Sequence, residues 1–274
     1  MTYLFDEEEI RSVASLLSQL KKDQRRQRRS NHSTPKIWFR GLKDISYPLT
    51  PTFHREHHKI TEEIYMMNLF KQNSYDLINQ IPATEWEWMF LMRHHNLPSR
   101  LLDWSENPFV GLYFSVCPRN SGQQPTTDGV LWCLLPVRLN HWALHWPIDS
   151  NALPMFTEKE AEFSLPPNEG IKNYLPLNVQ NADITKPLPP PAAGICPRTN
   201  QRMRAQFSVF TIHHADNTPL ENVEDGTHIW RYKIPANKKI AILDELRKIG
   251  ITRLTLFPEL DHVSLEVRES FGGH

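Results

Sequence analysis

Two short stretches carry most of the groups in this sequence that are suited to chemistry. The first, Trp38-Phe39-Arg40-Gly41, sets a guanidinium beside a glycine at the end of an apolar run. A guanidinium forks bidentately onto phosphate, and a residue without Cβ lets main chain approach a ligand. The second runs from Arg93 to Ser105. It holds the guanidiniums of Arg93 and Arg100, the imidazoles of His94 and His95, the Asp103 carboxylate, the Trp104 indole and the Ser105 hydroxyl. Each has an ordinary structural use: His94 and His95 on helix carbonyls, Arg100 with Asp103 as an ion pair, Trp104 in the core. Their density at the edge of apolar segments argues instead for a polar pocket that a ligand or solvent helps to satisfy. Thirteen histidines raise the question of a metal. The pairs His57-His58, His94-His95 and His213-His214 diverge on a helix or strand, and no HExxH or paired-cysteine spacing occurs, so no metal site is expected.

The elements that must position these groups follow from periodicity. Residues 7–29 read as an N-terminal amphipathic helix with Ile10, Val13, Leu17 and Leu20 on one face. Acids fill its first turn and bases, Lys21 to Arg29, its last, as the helix dipole favours. That basic end is expected to be a solvated helix face, with a phosphate contact as the alternative. Lys36–Phe39 is a short strand ended by Gly41, and a helix runs from Thr61 to about Asn79. Thr84-Glu85-Trp86-Glu87 reads as a capping box opening a third helix, which Asn96 and Pro98 stop. Arg100–Trp104 is extended, and Asn107-Pro108 opens a helix with Phe109, Leu112, Tyr113 and Val116 on one side. Further strands are expected at Gly129–Leu139, Ala205–His213, Trp230–Ile234 and Arg253–Phe257. Helices are expected from Asn237 to Ile249, with Ile240, Leu243 and Leu246 inward and Gly250 closing it, and from Pro258. Between Pro147 and Thr199 periodicity fails and prolines crowd, which marks a functional loop region or an insertion. Irregular alternation of strands and helices implies an α+β fold.

Lysine plus arginine and aspartate plus glutamate balance at 31 each, so no overall field attracts nucleic acid or membrane. Three cysteines without a CxxC, no leader-like N-terminus and no membrane-spanning apolar run make the cytoplasm the expected location.

Trp38–Gly41 followed by Tyr47-Pro48-Leu49-Thr50-Pro51 and Phe53-His54-Arg55 resembles the opening of an FRG domain. His94 to Ser105, continuing through Asn107-Pro108 to Gly111–Ser115, is similar to that family's central motif, with Arg93 and Asn96 in place of its usual Gln and Gly. Arg202 and Ala205–Thr211 resemble a third block, so the domain spans about 36–270, with the proline-rich insertion at about 147–199. The resemblance implies a distant kinship to ADP-ribosyltransferases, with split antiparallel or mixed sheets flanked by helices. It further implies NAD as substrate, transfer of ADP-ribose to a macromolecular acceptor, protein or nucleic acid, and a bacterial toxin or antiphage role with an antitoxin or other regulatory partner.

On that resemblance Arg40, Ser105 and Gln206 occupy the family's three site positions, with His94 as a further catalytic group. Phe39, Arg40, Gly41, Arg100, Asp103, Trp104 and Tyr113 then surround the cofactor: Arg40 on the adenosine-side phosphate or ribose, Ser105 on the nicotinamide ribose, Trp104 or Tyr113 stacked on a ring. Gln206 hydrogen-bonds but is no base, so the acid comes from His94, Asp103 or the Glu160–Glu162 run, or the acceptor is already nucleophilic. Two other readings stand beside this one: a non-catalytic module sensing a nucleotide or nucleic acid, and a metal-free nuclease using His94 and Arg100.

Overall fold

A computed structural model of the chain describes residues 4–30, 35–118, 124–145, 152–156, 169–183 and 185–271. Seven strands form its centre: β1 (Glu8–Glu9), β2 (Trp38–Leu42), β3 (Leu101–Ser105), β4 (Gly129–Leu134), β5 (Ala192–Gly194), β6 (Ser208–Ile212) and β7 (Ile229–Ile234). They lie in one sheet in the order β1-β7-β4-β2-β3-β6-β5, antiparallel except for the β1–β7 edge pair. Helices α1 (Val13–Ser30), α2 (Thr52–Arg55), α3 (Ile60–Ser74), α4 (Glu85–His94), α5 (Pro108–Val116) and α6 (Pro136–Leu144) alternate with the earlier strands. Then come α7 (Glu169–Lys172), α8 (Pro176–Gln180), α9 (Gln201–Ala205), α10 (Lys239–Lys248), α11 (Arg253–Leu256) and α12 (Leu260–Ser270). The fold is thus α+β, with one mixed sheet and flanking helices.

One joint in this sheet matters more than the rest. β2 pairs with β4 along five residues and β3 with β6 along five, but β2 and β3 meet only at Phe39 opposite Ser105. Beyond that pair the strands part, so a single sheet carries a break at its centre instead of dividing into two. On one face of the sheet each side of the break has its own core, while on the other face a single core, with Trp38, Trp132, Leu102, Trp104 and Val209, runs across it. Phe39, Leu131, Cys133, Trp230 and Tyr232 pack with α5 and α10 on one side. Leu101, Phe210 and Ile212 pack with Trp86, Phe90 and Tyr174 on the other.

Helix α5 follows directly from its sequence. Asn107 accepts a hydrogen bond from Phe109 N at 2.9 Å, Pro108 opens the first turn, and the helix is apolar around most of its circumference, as a buried helix must be. It lies on β2 with no room between: a Cβ on Gly41 would stand 1.9 Å from the Gly111 carbonyl oxygen and 2.5 Å from Ser115 N. The glycine of the Phe-Arg-Gly triplet therefore admits a helix, where the sequence suggested a ligand.

Helix α4 starts as expected at Thr84, whose hydroxyl accepts from Glu87 N, although the Glu87 carboxylate reaches Ala83 N and not the cap residue itself. It ends at Asn96, which takes a left-handed φ of 62°.

Several expectations are corrected. Residues 7–9 form no helical turn: Glu8–Glu9 is a strand, and Glu7 and Glu9 pair with Arg231 and Lys233 on β7. The helix begins at Val13 with no acid in its first turn, and Leu16, not the 40% exposed Leu17, is buried with Leu20. Pro136 ends the strand expected to reach Leu139 and opens α6. Arg253–Leu256 is a helical turn, because the Thr252 hydroxyl caps Thr255 N at 3.2 Å. In α10 Ile242, not Ile240, faces inward with Leu243 and Leu246. The proline-rich stretch supplies α7, α8 and the edge strand β5 among its described residues.

Candidate functional site

The break between β2 and β3 opens into a cleft of about 250 Å³. Phe39, Arg40 and Gly41 line it from β2, and Asp103, Trp104 and Ser105 from β3. Arg93, His94 and Asn96 come from the end of α4, and Arg202, Gln206 and Ser208 from α9 and the start of β6. The two stretches singled out in the sequence are thus brought together, and Gln206 joins them.

Strand alternation explains how. Phe39 and Gly41 face α5, so Arg40 leaves β2 from the other face and reaches Asp103 through the opening. Arg100 O and Glu106 N bond toward β6, which turns the Asp103 carbonyl toward β2. With no β2 amide opposite it, that carbonyl accepts from Arg40 Nη1 at 2.5 Å instead. The Arg40 guanidinium also stands 3.7 Å from the Asp103 carboxylate.

Arg93 binds the same carboxylate from the other side, through Nε at 3.1 Å and Nη2 at 2.5 Å. Burial by itself would raise the Asp103 carboxyl, but the guanidiniums of Arg93 and Arg40, with Arg202 further away, hold it down at about 2. Burial pulls Arg40 down to about 10, which leaves it charged at neutral pH. His94 is lowered by burial first and by Arg202 and His95 next, so it is neutral near pH 7. The cleft therefore contains a fixed carboxylate anion and a neutral imidazole.

Ser105 and Gln206 lie in the cleft wall with their polar groups engaged. The Ser105 hydroxyl donates to Gln206 O at 2.7 Å and accepts from Asn107 N at 3.0 Å. Gln206 Nε2 donates to Leu256 O at 3.0 Å. Gln206 is the C-cap of α9 and not a strand residue; β6 begins two residues later, after Phe207 at a φ of 50°. A positive φ is uncommon for an aromatic residue, and here it sets the turn that aims Gln206 at α11. Trp104 donates its indole N–H to Thr211 Oγ1 at 3.0 Å and is 3% exposed, so its ring is held in the core.

Two expected site residues lie elsewhere. Arg100 is fully buried and gives its donors to Glu63 (2.7 Å), His213 O (2.7 Å) and Tyr174 O (2.6 Å). Tyr113 faces the core beside α10 and does not line the cleft; burial pushes its hydroxyl up to about 12. Glu160 and Glu162 lie outside the described residues, as do the side chains of Arg28 and Arg29.

Arg202 is the lining residue whose importance the sequence left unstated. Its guanidinium sits over the Phe257 ring at 4.7 Å and makes no hydrogen bond or ion pair among the described residues. Asn200, capping Met203 N at 2.8 Å ahead of a basic run, was the local sign of the short helix that presents it. Among the described residues no group of three or more His, Cys, Asp and Glu side chains is placed to hold a metal ion. No described helix is long and apolar enough to cross a membrane.

The chain is thus an α+β protein with a polar, guanidinium-rich cleft at a break in a mixed sheet. Residues 35–124 match the family model of the FRG domain. That stretch runs from just before β2 to beyond α5 and supplies Arg40, Arg93, His94, Asp103 and Ser105; α9, Gln206 and β6 lie outside it. No curated protein and no solved structure matches the chain significantly.

Proposed function

We propose that the protein is an ADP-ribosyltransferase that takes NAD as its substrate in this cleft and passes ADP-ribose to a protein or nucleic-acid acceptor. The observation that carries the reading is the Asp103 carboxylate, held ionised between Arg40 and Arg93 with the neutral His94 in the same cleft. As the bond between nicotinamide and ribose breaks, nicotinamide leaves with the electron pair and positive charge builds on the ribose anomeric carbon. A pre-ionised carboxylate that needs no reorganisation stabilises that charge, the part Gln206 lacks the charge to play. With a carboxyl at about 2, Asp103 is too weak a base to take the acceptor's proton. His94 suits that step as the acceptor oxygen or nitrogen bonds to the anomeric carbon. The cleft, at about 250 Å³, is just below the usual range of ligand pockets, roughly 300–1,000 Å³. It suits a ribose and one ring, with the rest of the dinucleotide over the rim.

A toxin or antiphage role with a neutralising partner accompanies the FRG resemblance and is part of the same proposal. One observation favours a non-catalytic sensor as the second reading: Ser105 and Gln206 already have internal partners. Incubation of the pure protein with adenylate-labelled NAD and cell extract separates the two. Nicotinamide release with label on a macromolecule, lost in Asp103→Asn, supports the transferase. NAD binding without release leaves the sensor, and RNA loss without NAD points to a nuclease.

A further inference from the structure

Among the described residues three guanidiniums line the cleft, and two of them are engaged with Asp103. Arg40 bonds the Asp103 main chain through Nη1, its Nε being buried without a hydrogen-bond partner among the described residues, and Arg93 chelates the Asp103 carboxylate. Arg202 is not: it stacks on the Phe257 ring, and among the described residues its N–H groups have no acceptor. Asp103 is the one acid among the described lining residues, against Arg40, Arg93 and Arg202, so these residues together carry an excess of positive charge. A further acid whose charge acts on His94, Glu259, does not line the cleft and makes no ion pair with Arg202. Asn96 lines the same cleft from its left-handed turn, and its amide also has no partner among the described residues.

We infer that Arg202, with Asn96 beside it, seats an anionic phosphate ester or pyrophosphate group of the ligand. This rests on the reading of the cleft as a nucleotide site, and it moves the phosphate from Arg40, where the sequence suggested it, to the other wall. Arg40 is unsuited to that role because its side chain is 16% exposed and holds the break between β2 and β3. Arg202 meets the requirement from the opposite direction: its planar fork has N–H donors to give, and stacking on Phe257 orients it in advance. The recess accommodates a sugar phosphate and is too small for a duplex.

The test is calorimetric titration of the full chain with ADP, inorganic pyrophosphate and adenosine. ADP binds at least tenfold tighter than adenosine in the unaltered protein, the difference shrinks with added salt, and pyrophosphate competes with ADP. Arg202→Gln weakens ADP about tenfold or more and leaves adenosine unchanged, whereas Arg202→Lys keeps part of the difference. If Arg202→Gln fails to fold, Arg202→Met, which keeps the packing on Phe257, gives the same readout. Equal affinity for ADP and adenosine overturns the inference, as does ADP affinity within twofold of normal in Arg202→Gln, or no binding of ADP or pyrophosphate at millimolar concentration. Arg202-dependent ADP binding without nicotinamide release leaves the anion seat standing and removes the transferase. Nicotinamide release whose KM for NAD is unaffected by Arg202→Gln does the reverse.

Discussion

Arg40 and Asp103 meet across the break in the sheet twice, the guanidinium donating to the Asp103 carbonyl at 2.5 Å and standing 3.7 Å from its carboxylate. The shorter of these contacts is to main chain, which no substitution of Asp103 removes. Arg40→Ala is therefore expected to cost about 2–3 kcal/mol, the scale of a charge-assisted hydrogen bond. In a double-mutant cycle with Asp103→Asn the coupling stays below about 1 kcal/mol, because the carboxylate is partly exposed and the main-chain bond persists. Urea denaturation of the four proteins measures it; a coupling as large as the single-mutant cost would show that the carboxylate is the true partner.

Gly41→Ala places a methyl group 1.9 Å from the Gly111 carbonyl oxygen, where helix α5 has no slack. A loss of about 3 kcal/mol or more, or insoluble protein, is expected. Gly250→Ala makes a useful contrast. Nothing lies within 4 Å of its Cβ, but its φ is 82°, so only about 1 kcal/mol is lost. Thermal melts of the two variants should differ accordingly.

Arg100 and Glu63 form a buried ion pair at 2.7 Å that supports β3 from behind the cleft. Removing one partner strands the other, so Arg100→Ala should cost about 3–5 kcal/mol. Because Arg100 does not line the cleft, the folded fraction should bind ADP with normal affinity. A selective loss of ADP affinity in a stable Arg100 variant would return that residue to the binding site.

Around Arg100 the buried imidazoles of His54, His213 and His214 are all lowered, first by burial and then by neighbouring positive charge; His54 and His214 fall to about 4. A depressed histidine stabilises the fold fully above its unfolded value near 6.5, and that contribution fades as pH falls toward the folded value. The unfolded chain takes up protons in this window that the folded one refuses, each worth about 1.4 kcal/mol per pH unit. The denaturation midpoint should drop steeply between pH 6.5 and 4, and His54→Gln should make the slope shallower. A flat profile would mean that these rings are charged in the folded state.

Asp103 stays ionised until pH approaches about 2, so it sets no limb in the working range. The proton acceptor proposed, His94, titrates below the ordinary histidine value. Nicotinamide release should be level above pH 6.5 and fall on the acid side, and His94→Gln should slow release and abolish that limb. An acid limb that survives in His94→Gln would assign the base elsewhere.

Much of the site was legible because local chemistry fixes it. Thr84, Asn96 and Asn107-Pro108 set the ends of α4 and α5, and those ends deliver Arg93, His94 and Ser105. What local chemistry could not show was which strands would fail to pair, so the function of Arg40 as a bridge emerged only in three dimensions. Edge strand β5 has no alternation to read. It is held by Asn140, whose side-chain amide bonds both the N–H and the carbonyl of Ala193 at 2.7 Å, as a neighbouring strand would. Arg253–Leu256 alternates like a strand, but the Thr252 cap and contacts with α9 and α12 outweigh that pattern. The acids at Glu7 and Glu9 suit a helix N-terminus equally well as the basic edge of β7, and only the tertiary partners Arg231 and Lys233 decide between them.

The break at Phe39 and Ser105 is not a boundary between separable parts. The chain crosses it in passing from β2 to β3, again to β4, again to β5, and again from β6 to β7. A protease that nicks any one connection leaves both halves of the sheet tied together by the others. The cleft should therefore survive limited proteolysis as a noncovalent complex of fragments, and neither half should be expressible alone as a folded piece.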